Sequence, residues 1–277
     1  MSPQEAALRV EQLALPDLPG NVALSNSVGW KDVEGEWRVL HGAGDVRGVK
    51  HDGRLVAQGV LGDYGSAATL AKMVVAQEWQ RRGLGARLLD GFLADADARA
   101  TPVGLCATEQ GRPLYQSRGF EVTGELMILT GTPQPGTTAG GAVVVLSDVE
   151  PAVQIDRGFC DCDRSRMLRA RFEQAKASLC LEAEAGFGMV SAQGGGALVG
   201  PIWAETEAGA RELAGALFAA APGPIRVDVP LEQVAFRQWL VSLGFREQSL
   251  RVEMARGAAT LPWQVPQRFA LATQAWG

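Results

Sequence analysis

The residues best suited to chemistry lie between Met73 and Leu93. An apolar run of Leu70, Met73, Val74 and Val75 gives way to a polar turn, then to Gln80-Arg81-Arg82-Gly83-Leu84-Gly85-Ala86. Apolar residues follow at helical spacing: Leu84, Leu88, Leu89, Phe92, Leu93 and Ala96. The pattern predicts a strand, a glycine loop and the start of a helix. The first turn of a helix carries N–H groups with no internal acceptor, and the aligned peptide dipoles make that end positive. Glycines at 83 and 85 let an anion approach the backbone with no Cβ in the way, so the loop is suited to cradling phosphate.

Two better-known phosphate loops do not fit. No Gly-Lys-Ser/Thr follows, as a P-loop requires, and the three glycines and distant acid of the dinucleotide fingerprint are missing. A plain strand-to-helix connection, with glycines for tight turning, is the alternative. The string from Gln80 to Ala86 resembles the acetyl-CoA-binding motif of the GNAT superfamily of N-acetyltransferases, Gln/Arg-x-x-Gly-x-Gly/Ala.

The elements that must position this loop can be traced along the chain. Residues 4–19 predict a strand and turn around Leu8, Val10, Leu13 and Leu15. Trp30 and Trp37 fall in a segment of one or two short helices, serving either as core or as the apolar wall of a substrate cleft. Asp52-Gly53 is a hairpin signal joining Gly48–His51 to Leu55–Leu61. Gly62 and Gly65 then turn the chain into Ala68–Val75, so three antiparallel strands lead into the loop. The helix that follows is stopped by Thr101-Pro102, Val103–Ala107 reads as a buried strand, and Pro113 opens a short helix that Gly119 ends. Leu114-Tyr115-x-x-x-Gly119-Phe120 is similar to a second GNAT signature and lies in the right order after the first.

The resemblance implies a division of labour. Backbone N–H groups of Arg81, Arg82, Gly83, Leu84, Gly85 and Ala86, with Gln80 at the head of the motif, would hold the pyrophosphate of acetyl-CoA. Met73, Val74 and Val75 would pair with the pantetheine arm between splayed strands, and an N–H of Val74 or Val75 would polarise the thioester carbonyl. Tyr115 would protonate the departing sulfur, a task suited to a phenol with a pKa near 10. The general base is left open among Asp63, Tyr64 and Glu109, and a chain of water molecules is the alternative on this fold. Trp30 and Tyr64 are the candidates for contact with substrate, and no metal is implied.

Bulk properties narrow the field. With 277 residues, 47% hydrophobic and 21% charged, the chain has ordinary globular composition and room for one large or two modest domains. Thirteen basic face sixteen acidic residues over 1–130, and thirteen face fifteen beyond, so neither half is a basic nucleic-acid-binding surface. This acidic balance points toward a cationic amine as acceptor. No apolar run approaches the roughly 18–20 residues of a membrane helix, and the start lacks a signal peptide's basic and apolar regions. A cytoplasmic protein with no membrane partner, monomeric or homodimeric, is expected. Cys106, Cys160, Cys162 and Cys180 lack a second ligand pair for zinc and read as core residues, while His41 and His51 read as surface residues in turns.

Beyond residues 131–141, whose composition suits a linker, the order of elements repeats. A helix over Ala208–Ala221, a strand over Ile225–Val229, a helix over Leu231–Leu243, Gly244-Phe245 and a last strand follow the plan of residues 84–129. The copy has Glu205 and Glu207 where a phosphate would sit, and Leu240 in place of the tyrosine. It resembles the accessory domain of one GNAT subgroup. The expected fold is mixed α/β (α+β): tandem GNAT-like domains, each a mostly antiparallel central sheet flanked by helices. Residues 1–130 would form the catalytic domain and 142–277 the degenerate one. The implied activity is transfer of acetyl from acetyl-CoA directly to a primary amine of a small molecule, within a ternary complex. The alternative is an acyl-CoA-binding protein without turnover that uses its second half as an interaction surface.

Overall fold

Apolar residues set both the strands and the helix faces. The computed structural model describes residues 8–133 and 143–277. The first half runs β1 (Val10–Gln12), α1 (Leu18–Ser27), α2 (Glu34–Ala43), β2 (Gly44–His51), β3 (Arg54–Asp63) and β4 (Ala68–Val75). It continues through α3 (Leu84–Ala98), β5 (Val103–Ala107), α4 (Arg112–Gln116) and β6 (Glu121–Gly131). β3 is buried along almost its whole length because helices cover both faces of the sheet. α3 buries the six residues that its spacing marks, Leu84, Leu88, Leu89, Phe92, Leu93 and Ala96. Near the N-terminus the expected turn before residue 19 is a short 3-10 segment at Leu15–Asp17 leading straight into α1.

The second half repeats the plan with β7 (Val143–Val145), α5 (Glu150–Phe159), α6 (Ser165–Gln174), β8 (Ala175–Leu181), β9 (Gly186–Gln193) and β10 (Gly196–Ala204). Then come α7 (Glu207–Ala220), β11 (Ile225–Pro230), α8 (Val234–Ser242), β12 (Arg246–Arg256) and a short β13 (Arg268–Ala270). All of these strands belong to one sheet, ordered β1-β2-β3-β4-β5-β12-β6-β11-β10-β9-β8-β7, with β13 beside β10. Among the described residues only β4–β5 and β10–β11 pair in parallel; the rest of the sheet is antiparallel.

The centre of the sheet is an exchange. β12, from the second half, lies between β5 and β6, with Glu253 opposite Cys106 and Arg251 opposite Leu126. β6, from the first half, lies between β12 and β11, with Leu129 opposite Val227. Each half therefore completes its sheet with the other's last strand. The segment suited to a linker, 131–141, begins at the end of β6, and residues 134–142 lie outside the described part. Among the described residues no helix is long and apolar enough to cross a membrane, and all four cysteines are free thiols.

Candidate active site

β4 and β5 start as neighbours and then part. They pair only at Ala68 with Val103 and Thr69 with Gly104. Further along, β4 stays on β3 (Val74 opposite Gln58, Val75 opposite Ala57) and leaves its other edge free. The Ala76 N–H donates to the Val56 carbonyl at 2.9 Å. By the alternation of a strand, the Val75 N–H and C=O then face the gap toward β5. The Gln80 side-chain amide takes that carbonyl, at 3.1 Å, and the Val75 N–H is left directed into the gap.

The glycine loop closes one end of this cleft. Gly83, at φ +79°, is the left-handed residue that turns the chain into α3, where any side chain would be strained. Leu84, Gly85 and Ala86 follow as the first turn, with no side-chain cap and no acidic residue, so nothing in the protein competes for their N–H groups among the described residues. Arg81 sits in the loop at φ +61°, and the Arg82 guanidinium lies 4.8 Å above the Trp79 ring, which in turn packs on His51. Donors, positive dipole and arginines together fit an anionic, phosphate-bearing ligand.

Tyr115 stands on α4, where it is buried in the core of the first half with Leu84, Leu88 and Phe120. Its ring packs edge-on to Phe120 at 5.8 Å, and burial pushes its hydroxyl up to about 12. Among the described residues the hydroxyl has no hydrogen-bond partner. The turn leading to α4 holds Glu109, exposed, between the Thr108 hydroxyl, which accepts from the Gly111 N–H, and Gln110.

The other expected residues separate. Asp63 lies at the opposite end of β3, paired with Ala68 and held by Arg99 at 3.0 Å, roughly 20 Å of strand from Val75. Tyr64 is a core residue: its hydroxyl donates to the Trp276 carbonyl at 3.0 Å, its ring meets Trp263 edge-on, and burial raises its pKa well above 10. Trp30 does face a cavity. His41 is not in a turn but on α2, half-buried against the Asn21 amide at 2.9 Å, and burial lowers its pKa. His51 ends β2.

That cavity, of about 480 Å³, opens between the halves. Trp30 and its loop, Ala71-Lys72, Cys106, Thr108, Ile128 and Thr130 line it from the first half. The Gly194–Gly196 turn, Arg226, Asp228, Arg251 and Thr273–Ala275 line it from the second. A bulge in β4, where Lys72 takes φ +54°, turns the Lys72 ammonium toward Asp32 (2.7 Å) with the Trp30 ring 5.4 Å away. Cys106, expected in the core, is half-buried on this wall, and its burial keeps the thiol protonated. Lys72 escaped the sequence reading, although a lysine inside the apolar run Leu70–Val75 was its signal.

The second half carries the same cleft, filled. β10 and β11 also pair at only two positions, Ala197 with Ile225 and Leu198 with Arg226. Beyond them β13 takes the β10 edge, with Ile202 opposite Ala270, and the Leu271 N–H donates to the Asp228 carbonyl of β11 at 2.9 Å. The helix start there is closed as well. The Thr206 hydroxyl accepts from the Gly209 N–H at 3.1 Å and is itself bonded to the Glu184 carboxylate at 2.7 Å. Among the described residues, no group of three or more His, Cys, Asp and Glu could hold a metal ion.

Comparison with known proteins follows these outlines. Residues 38–133 and residues 152–270 each match a family model described as acetyltransferase (GNAT) domain. A protein of Bacillus subtilis (strain 168), named uncharacterized N-acetyltransferase YitH, is 26% identical over 238 residues, covering 82% of this chain and 84% of its own length. A structure from Pyrococcus horikoshii, assigned as an acetyltransferase, superposes with a TM-score of 0.84 at 20% identity, over 98% of this chain and 96% of its own. A tandem GNAT protein from the clavulanic acid biosynthesis pathway gives 0.62 at 16% identity, over 90% and 98%. Both structures share the fold.

Proposed function

Because the chain belongs to the GNAT acetyltransferases, we propose that it moves an acetyl group from acetyl-CoA directly to a primary amine of a small molecule, using the cleft of its first half alone. The observation that carries this reading is the contrast between two clefts of one design. The β4–β5 gap is open, edged by the Val75 N–H and closed by an uncapped helix start, whereas β13 fills its counterpart.

Acetyl-CoA, when bound, supplies an acyl group activated as a thioester. The N–H groups of Gly83, Leu84, Gly85 and Ala86 hold its pyrophosphate, with Arg81 and Arg82 adding charge. Met73, Val74 and Val75 give the pantetheine arm a strand edge, and the Val75 N–H polarises the carbonyl. Tyr115 holds a proton at Oη for the leaving sulfur. Its high pKa keeps that proton in place at neutral pH. Glu109, next to cavity-lining Thr108, accepts the amine's proton; Asp63, fixed by Arg99, takes no part. Trp30 walls the acceptor.

Thiol release from acetyl-CoA with a panel of amines tests this. Turnover with at least one amine, lowered about 100-fold or more by Tyr115→Phe, is expected. Binding of CoA without turnover on any amine would favour the non-catalytic binding protein instead.

A further inference from the structure

The cavity between the halves has a sign. Asp32, Glu36 and Asp228 are its acids, and each is already matched by a cation. Asp32 is bonded by Lys72 at 2.7 Å, Glu36 by Arg171 at 3.0 Å, and Asp228 by Nε and Nη2 of Arg226 at 2.6 and 2.7 Å. Two further cations line the cavity, Lys31 and Arg251. Among the described residues neither has an acidic partner; the Arg251 Nη1 turns only to the carbonyl of Leu250. The formal charge of the whole chain is −5, so a cationic cavity wall runs against the average of the protein.

We propose, on the basis of the acyl-transfer reading above, that the acceptor is an amine bearing an anionic group of carboxylate or phosphate type, held by Arg251 with Lys31 facing it across the cavity. The strand register brings Arg251 close to the cleft. Val252 pairs with Ala107 across β12 and β5, so Arg251 stands beside Thr108, one strand spacing of about 5 Å from the strand that edges the cleft. Lys31 is anchored on the facing side, where its carbonyl accepts from the Gly194 N–H at 3.2 Å. A guanidinium offers parallel N–H donors matching a carboxylate or phosphate, and a partly desolvated wall strengthens the pair. A polyamine, favoured by the charge of the whole chain, would bring a second cation to this wall.

In the reaction the amine nitrogen forms the new N–C bond and the thioester C–S bond breaks. The nitrogen loses one proton and the sulfur gains one. The anionic group is unchanged and serves to orient.

The test uses matched pairs: ornithine against putrescine, phenylalanine against phenethylamine, phosphoethanolamine against ethanolamine. The ratio of kcat/KM within each pair, measured on one preparation, does not depend on the fraction of folded enzyme. At least one anionic member should be preferred by about tenfold or more, and Arg251→Ala should bring that ratio toward one, with Arg251→Lys intermediate. The amino-acid and phosphate arms identify the anion. Turnover with equal or better use of the anion-free members, or a ratio unmoved by Arg251→Ala, overturns this inference alone. No turnover with either member of any pair overturns the acyl-transfer reading and this inference with it.

Discussion

The side-chain amide of Gln80 donates to the carbonyl of Val75 across 3.1 Å. The first residue of the glycine motif is thereby fastened to the strand whose edge lines the cleft, and the glycine loop and the Val75 N–H keep one relative position. Gln80→Ala removes the donor and leaves the Val75 carbonyl to water. A neutral hydrogen bond contributes about 1 kcal/mol, so affinity for CoA should fall roughly 5-fold. Gln80→Glu should do worse, because a carboxylate cannot donate and brings negative charge to the proposed pyrophosphate site. Titration calorimetry of the two variants checks the order.

Gly83 and Gly85 look alike in the sequence but differ in what they demand. Gly83 has open space where a Cβ would go but sits at φ +79°, whereas a Cβ on Gly85 would meet Val75 Cγ2 at an ordinary 3.5 Å. Gly83→Ala should therefore cost about 1–2 kcal/mol of stability, and Gly85→Ala, on the helix, should be neutral or stabilising. Thermal melts without ligand separate the two; equal losses would contradict the assignment.

A methyl group on Gly200 would stand 1.9 Å from the carbonyl oxygen of Leu271. Gly200→Ala should force the segment after β13 away from β10, at a cost of about 3 kcal/mol or more. A melting temperature lower by roughly 5 °C or more is expected. Faster proteolysis should appear around residues 268–272, whereas cleavage elsewhere would contradict the role of this segment as a filler.

The chain has two tyrosines, Tyr64 and Tyr115, and burial raises both. Phenolate absorbance of the folded protein should be absent near pH 10. A raised folded-state pKa gives stability that is complete below the unfolded value, about 10, and is lost as pH climbs toward the folded value. Tyr115 alone should then lose roughly 3 kcal/mol between pH 10 and about 12. Chemical denaturation at stepped pH should show this fall, and Tyr115→Phe should make it shallower.

Local chemistry was legible before the structure. The motif from Gln80 to Ala86, the six buried positions of α3 and the short helix under Tyr115 all depend on neighbours within a few residues. The repeat of element order was legible for the same reason. Strand partners are chosen across the whole chain, so nothing in Glu121–Gly131 or Arg246–Arg256 revealed that β6 and β12 change places. β13 is three residues long, too short for any period, and its place between β10 and β11 follows from the gap those strands leave. Tyr64 was misplaced toward the substrate because its buried hydroxyl is satisfied by a carbonyl 212 residues away. The cavity charge was hidden too, since Lys31, Lys72 and Arg251 meet only in three dimensions.

Calorimetric titration of the full chain with coenzyme A tests the central claim most directly. The account predicts one site per chain, lost in Gly83→Asp, which sets a carboxylate at the start of α3, and retained in Thr206→Ala, which uncaps the matching helix of the second half. Two sites, no binding, or an affinity untouched by Gly83→Asp would contradict it.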